Sequence, residues 1–152
     1  MEVKTTFEYI EENLETIKNT DNVLCIIPVK KGQYVHLDAC LTNGEVVQMT
    51  KEKHYWLYRQ DAMNVLKKEL GDEFMNNFYT VFENQACINK KHIKDMSCDK
   101  ESMEKIDVTA KFCNGQEIVI GHCSGHWARR EIQNVKFNIK MNNLKENKNY
   151  QA

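Results

Sequence analysis

Proline and glycine, the residues that break chains into linkers, are scarce: one proline and six glycines serve 152 residues. No Pro-, Ser- or Gly-rich stretch marks a second domain, and the length suits one. Long apolar runs are missing too. The longest runs from Val23 to Val29, far short of the roughly 20 residues of a membrane-spanning helix. No basic, apolar leader opens the chain, so a cytoplasmic protein is expected. None of the six cysteines, at positions 25, 40, 87, 98, 113 and 123, has a CxxC partner. All six are expected as thiols, with Cys25, Cys87 and Cys113 behaving as small buried hydrophobes. The P-loop, the dinucleotide glycine pattern, HExxH and GxSxG are all absent, and the carboxylates are scattered, so no enzyme is expected.

Charge of one sign is also lacking: the net is −1, which removes the strongly basic character usual in a nucleic-acid-binding domain. The balance is uneven, however. Residues 1–50 carry four basic against eight acidic groups, and residues 51–152 carry seventeen against fourteen. A small basic face in the later part is compatible with that excess.

What is present alternates between helical and strand periods. Phe7, Ile10, Leu14 and Ile17 form one stripe of a short N-terminal helix over residues 1–20. The stripe packs on its own domain or serves as a homodimer seam. Val23 to Val29 reads as a strand buried on both sides, Lys30-Lys31-Gly32 as its turn, and Val35, Leu37, Ala39 and Leu41 as one face of a half-buried strand. Thr42-Asn43-Gly44 closes a hairpin. Ala62, Met63, Leu66 and Leu70 recur at helical spacing. A second hairpin joins Ile106–Phe112 to Ile118–Ile120 through Cys113-Asn114-Gly115. Only a three-residue loop with Gly115 left-handed keeps Ile118 opposite Ala110 and Ile120 opposite Val108, so a type I turn with a G1 bulge is expected. After a short helix carrying Ile132, the alternation of Val135, Phe137, Ile139 and Met141 predicts a last strand, and polar residues 143–152 predict a frayed tail. The fold class is mainly β (α+β): small antiparallel sheets, one domain over 22–142, and one or two short helices besides the first.

Chemistry-bearing residues concentrate at Gly121-His122-Cys123-Ser124-Gly125-His126. His122, Cys123 and His126, with Cys113 across the hairpin, offer the donor types zinc takes. Only one such cluster exists, and adjacent His122 and Cys123 point to opposite sides of an extended strand. The segment reads as a glycine-softened loop, no metal or cofactor is expected, and a Cys–His nucleophile lacks an orienting carboxylate. Basic and amide groups gather instead in the loops: Lys30-Lys31, Asn84-Gln85, Lys90-Lys91-His92 and Arg129-Arg130. As a set they suit phosphate contacts from Lys and Arg, with amides reaching base edges.

The segment Phe78 to Met96, FYTVFENQACINKKHIKDM, resembles the centre of the LytTR DNA-binding domain found in bacterial response regulators. Ala86-Cys87-Ile88-Asn89 and His92-Ile93-Lys94 hold the places of its apolar strand and downstream apolar-Lys step. The order of strands, short helix, motif and Asn-Gly hairpin extends the likeness over residues 22 to about 135. The resemblance implies an almost all-β domain whose loops enter successive major grooves of double-stranded DNA. It places the base-reading amide at Asn84, a first-loop contact near Lys31, and a structural role at Asn89. The expected contact surface is Lys31, Asn84, Lys90, Lys91, His122, Arg129 and Arg130. Where the family has Ser followed by basic residues, this chain has Gly121, His122 and Cys123. The reading is a transcriptional regulator acting as a dimer or on tandem half-sites. The alternatives are a protein-interaction module on the same scaffold, and a metal- or thiol-dependent protein using Cys113, His122, Cys123 and His126.

Overall fold

A computed structural model describes residues 10–50, 54–55, 59–82, 85–98 and 105–150. The chain divides into two compact units, residues 1–91 and 92–152, with the boundary inside the single 22–142 span read from the sequence.

In the first unit, helix α1 (Glu11–Ile17) turns its stripe inward. Ile17 is fully buried, Leu14 packs beside it, the Ile10 amide donates to the Met49 carbonyl, and Asn13 Nδ2 donates to the Gln48 carbonyl. A seven-residue helix has no second apolar face, and burying such a side chain is worth about 1.5–3 kcal/mol. Ile17 and Leu14 therefore serve the core of the first unit, as packing on its own domain requires, while Ile10 is held through its backbone; Phe7 lies outside the described residues.

Strands β1 (Val23–Lys31), β2 (Tyr34–Leu41), β3 (Val46–Gln48) and β4 (His54–Tyr55) precede helices α2 (Arg59–Leu70) and α3 (Asp72–Met75). Strands β5 (Phe78–Val81) and β6 (Ala86–Asn89) complete an antiparallel sheet of order β3-β2-β1-β6-β5, with β4 pairing β2. A bulge at Leu24 sets Val23 opposite Leu41 and Cys25 opposite Cys40, so Val23 and Ile26 share the core face although they stand an odd number of positions apart. There they meet Leu37, Ala39 and Cys87 under Ala62, Met63 and Leu66 of α2. Val23 to Ile26 are all fully buried, covered on both sides, whereas Ile27, Pro28 and Val29 are half-buried, so the double burial expected from Val23 to Val29 holds for the first part of the strand only. The other face of β2 is buried as well at His36 and Cys40, where half-burial was expected; there His36 Nε2 meets Asp38 Oδ1 at 3.1 Å.

The cysteines assort differently from expectation. Cys25, Cys40 and Cys87 are buried, whereas Cys113 is exposed because it occupies a hairpin turn; these four and Cys98 are free thiols. Cys25 and Cys40 share a hydrogen bond that raises the Cys25 thiol, with burial adding to the effect, and lowers Cys40. Burial pushes Cys87 up to about 12, with the Lys67 ammonium opposing weakly.

One buried amide ties this unit together. Asn89 Nδ2 donates to the carbonyls of Thr20 at 2.9 Å and Val23 at 2.8 Å, and its Oδ1 accepts from the Lys91 amide at 2.8 Å. Thus the structural role expected of Asn89 is visible atom by atom.

The second unit contains β7 (Ile93–Cys98), β8 (Lys105–Phe112) and β9 (Glu117–Ser124), antiparallel in that order, and helix α4 (Gly125–Tyr150). Gly115 is left-handed at φ +92, and Phe112 and Gln116 share a backbone hydrogen bond. Ala110 faces Ile118, as the three-residue loop requires. One pairing differs: Val108 faces Gly121, not Ile120, because a bulge interrupts the ladder there. The largest departure follows β9. Residues 125–150 form one helix where a short helix, a strand and a frayed tail were expected. Ala128, Ile132 and Val135 are buried at helical spacing and Ile139 is half-buried, while Phe137 and Met141 are exposed. The residues read as an alternating strand thus divide between two faces of a helix.

Two outcomes follow. Asn89→Ala strands two carbonyls and an amide, and urea melts should show a loss of about 2–4 kcal/mol. Cys25 and Cys87 stay neutral in the fold at a pH where the unfolded chain ionises. Their contribution is complete below their ordinary value of 9.0 and fades as pH rises towards about 12 for Cys87, with Cys40 opposing. Chemical melts between about pH 8 and pH 11 should show stability falling, and falling less steeply in Cys87→Ala.

Candidate nucleic-acid interface

The hairpin between β1 and β2 turns on Gly32 and Gln33, with Gly32 left-handed at φ +63, as tight two-residue turns favour. It places Lys31 opposite Tyr34, and the Tyr34 ring stacks on Tyr55 at 5.3 Å between centroids. Both rings are exposed, which makes a basic–aromatic corner. Tyr34 and Tyr55 escaped notice in the sequence because their partnership depends on the β2–β4 register. Asn84 lies outside the described residues.

Lys90 and Lys91 follow β6. The Lys90 ammonium sits 5.4 Å from the Tyr79 ring centroid, and Lys91 pairs with Asp21 at 3.0 Å. Antiparallel pairing of β6 with β1, Cys25 to Ile88 and Ile26 to Cys87, sets these lysines beside the start of β1. Lys31 stands at its far end, roughly 25–30 Å away at the rise of an extended strand. The three lysines therefore do not form one patch, and exposed Asp21 neutralises one of them.

In the second unit three of the expected residues, His122, Arg129 and Arg130, are exposed on either side of the point where β9 meets α4. The bulge at Ile120 inverts the facing of the strand beyond it. An unbroken ladder would have set His122 opposite buried Ile106. The bulged ladder sets it opposite Asp107, both half-exposed, with Nδ1 hydrogen-bonded to Oδ1. A carboxylate only accepts, so Nδ1 donates and Nε2 is the ring nitrogen turned away from that bond. β9 then passes straight into α4, where a loop was expected. Consequently His126, Trp127, Arg129 and Arg130 lie within the first two turns after the strand and are all exposed. The Arg130 guanidinium lies 5.7 Å from the Trp127 ring centroid, a cation–π contact between neighbouring turns of the helix. No acidic residue occupies the first turn of α4, so the amide-rich helix start adds to the positive field.

The four candidate metal ligands separate. Cys113 is in the hairpin turn, and β9 carries His122 roughly 17–20 Å along the strand. His122 is engaged by Asp107, His126 is on α4, and Cys123 stands opposite Ile106 in register with its side chain outside the described part. Among the described residues, no three His, Cys, Asp or Glu side chains converge. No helix there is long and apolar enough to cross a membrane.

Comparison with protein-family models, with curated proteins and with solved structures gives no match.

Since His122, Arg129 and Arg130 are exposed, each changed singly to Ala should alter folding stability by less than about 0.5–1 kcal/mol in denaturant melts. A larger loss would mark that side chain as structural.

Proposed function

We propose that the chain is a LytTR-like DNA-binding regulator whose principal contact surface is the junction of β9 with α4. Arg129 and Arg130 anchor phosphates there, and the helix start adds amide donors. His122, fixed by Asp107, offers Nε2 to a base edge. Trp127 supplies a flat apolar surface against the sugar–phosphate backbone. Lys31, with Tyr34 and Tyr55, is a second contact region on the first unit. Lys90 and Lys91 make a smaller contribution, because one stacks on Tyr79 and the other is paired with Asp21.

The observation that carries this reading is that His122, Trp127, Arg129 and Arg130 are all exposed within nine consecutive residues where β9 runs directly into α4, with the Arg130 guanidinium over the Trp127 ring. Charge supports it: residues 92–152 carry ten basic against eight acidic groups, and residues 1–91 carry eleven against fourteen. The resemblance at Phe78 to Met96, with Asn89 buried at the end of β6, favours the same reading.

Fluorescence anisotropy with a random-sequence duplex pool at low and moderate salt tests it. Binding should weaken steeply with salt, as expected where cations displace counterions. The Arg129→Ala/Arg130→Ala chain should bind several-fold more weakly, with a salt slope shallower by about one for each phosphate left without its arginine. No binding at low salt, or binding indifferent to salt, contradicts the proposal.

A further inference from the structure

Helix α4 has two apolar faces. Ala128, Ile132 and Val135 point into the second unit. On the outward side Phe137, Met141 and Leu144 follow one another at four- and three-residue spacing and remain 62%, 41% and 46% exposed, Leu144 also edging a groove shared with Lys94, Asp95 and Ile139. Side chains at that spacing form one continuous strip about two turns long. A helix that merely capped a sheet would carry polar groups there. Such a strip marks an interaction surface, and its flanking charges identify the occupant.

We propose that two copies of this chain associate through these strips, with their α4 helices antiparallel. That direction sets apolar side chains together at the centre and opposite charges on one flank. With Phe137 set against Met141 of the second copy, twofold symmetry sets Asn134 against Leu144 of the second copy. It also brings Glu131 within side-chain reach of Lys145 of the second copy, and the pair occurs twice. A parallel pairing would set Lys140 against Lys145 on both flanks, where like charges repel. In the antiparallel pair the two Lys140 side chains meet near the axis, and their long stems let the ammonium groups splay into water. Three partly exposed side chains on each copy cover less than the roughly 1,200–2,000 Å² of a standard stable interface. The dimer is therefore concentration-dependent and weak in the absence of other contacts. This pairing does not depend on the DNA-binding reading.

Sedimentation equilibrium of the full chain, from micromolar to submillimolar concentration, tests the pairing. The apparent mass should climb from 17.9 kDa towards twice that value. Phe137→Asp/Met141→Lys should stay at the mass of one chain while its helical circular dichroism is unchanged. Glu131→Lys should weaken association several-fold, and adding Lys145→Glu should restore it. A single-chain mass at every concentration overturns the proposal, as does a dimer indifferent to Phe137→Asp. A charge swap that fails to restore association overturns the antiparallel arrangement.

Discussion

The packing of Ala128, Ile132 and Val135 on the three-stranded sheet of the second unit decides what the 26 residues of α4 show to water. Once that face is buried, helical geometry leaves little freedom. Arg129 and Arg130 must emerge beside the end of β9, and Phe137, Met141 and Leu144 must emerge on the far side. A strand over 135–141, by contrast, would have buried Phe137 together with Val135. The proposed nucleic-acid contact and the proposed dimer strip are two consequences of one buried helix face.

Two irregularities in the ladders act in the same way. A bulge at Leu24 lets Val23 and Ile26 both meet the core of the first unit. A bulge at Ile120 moves His122 from the facing of Ile106 to that of Asp107. In each case one additional residue changes which chemistry reaches the surface. Asn89 plays a complementary part by satisfying backbone groups from three positions of the chain, so that a polar side chain rests in the interior without an unpaired atom.

Much of the fold was legible in local pattern. The Gly115 turn, the strand at Ala86–Asn89 and the helix through Met63 and Leu66 all rest on spacings of a few residues. The failures have a common cause: each depended on what a segment packs against. Val135, Phe137, Ile139 and Met141 alternate, yet Val135 and Ile139 equally continue the helical spacing of Ala128 and Ile132. Only the presence of a sheet to cover decides between the two. Cys113 resembled a buried hydrophobe by its neighbours and is exposed because the turn begins there. Within the candidate site, Arg129, Arg130 and His122 were legible as a basic and imidazole cluster. That β9 enters α4 without a loop was not legible, and Trp127 gained its place through Arg130. The separation of Lys31 from Lys90 and Lys91 was hidden, because it follows from the pairing of β1 with β6 across more than sixty residues.

The claim that the start of α4 meets nucleic acid is tested most directly by amide chemical shifts of the full chain titrated with a mixed-sequence duplex at low salt. The account predicts perturbations concentrated from His122 to Glu131, with little change along Phe137 to Leu144 that concentration alone does not reproduce. An unperturbed junction, with shifts confined to other segments or absent altogether, would contradict it.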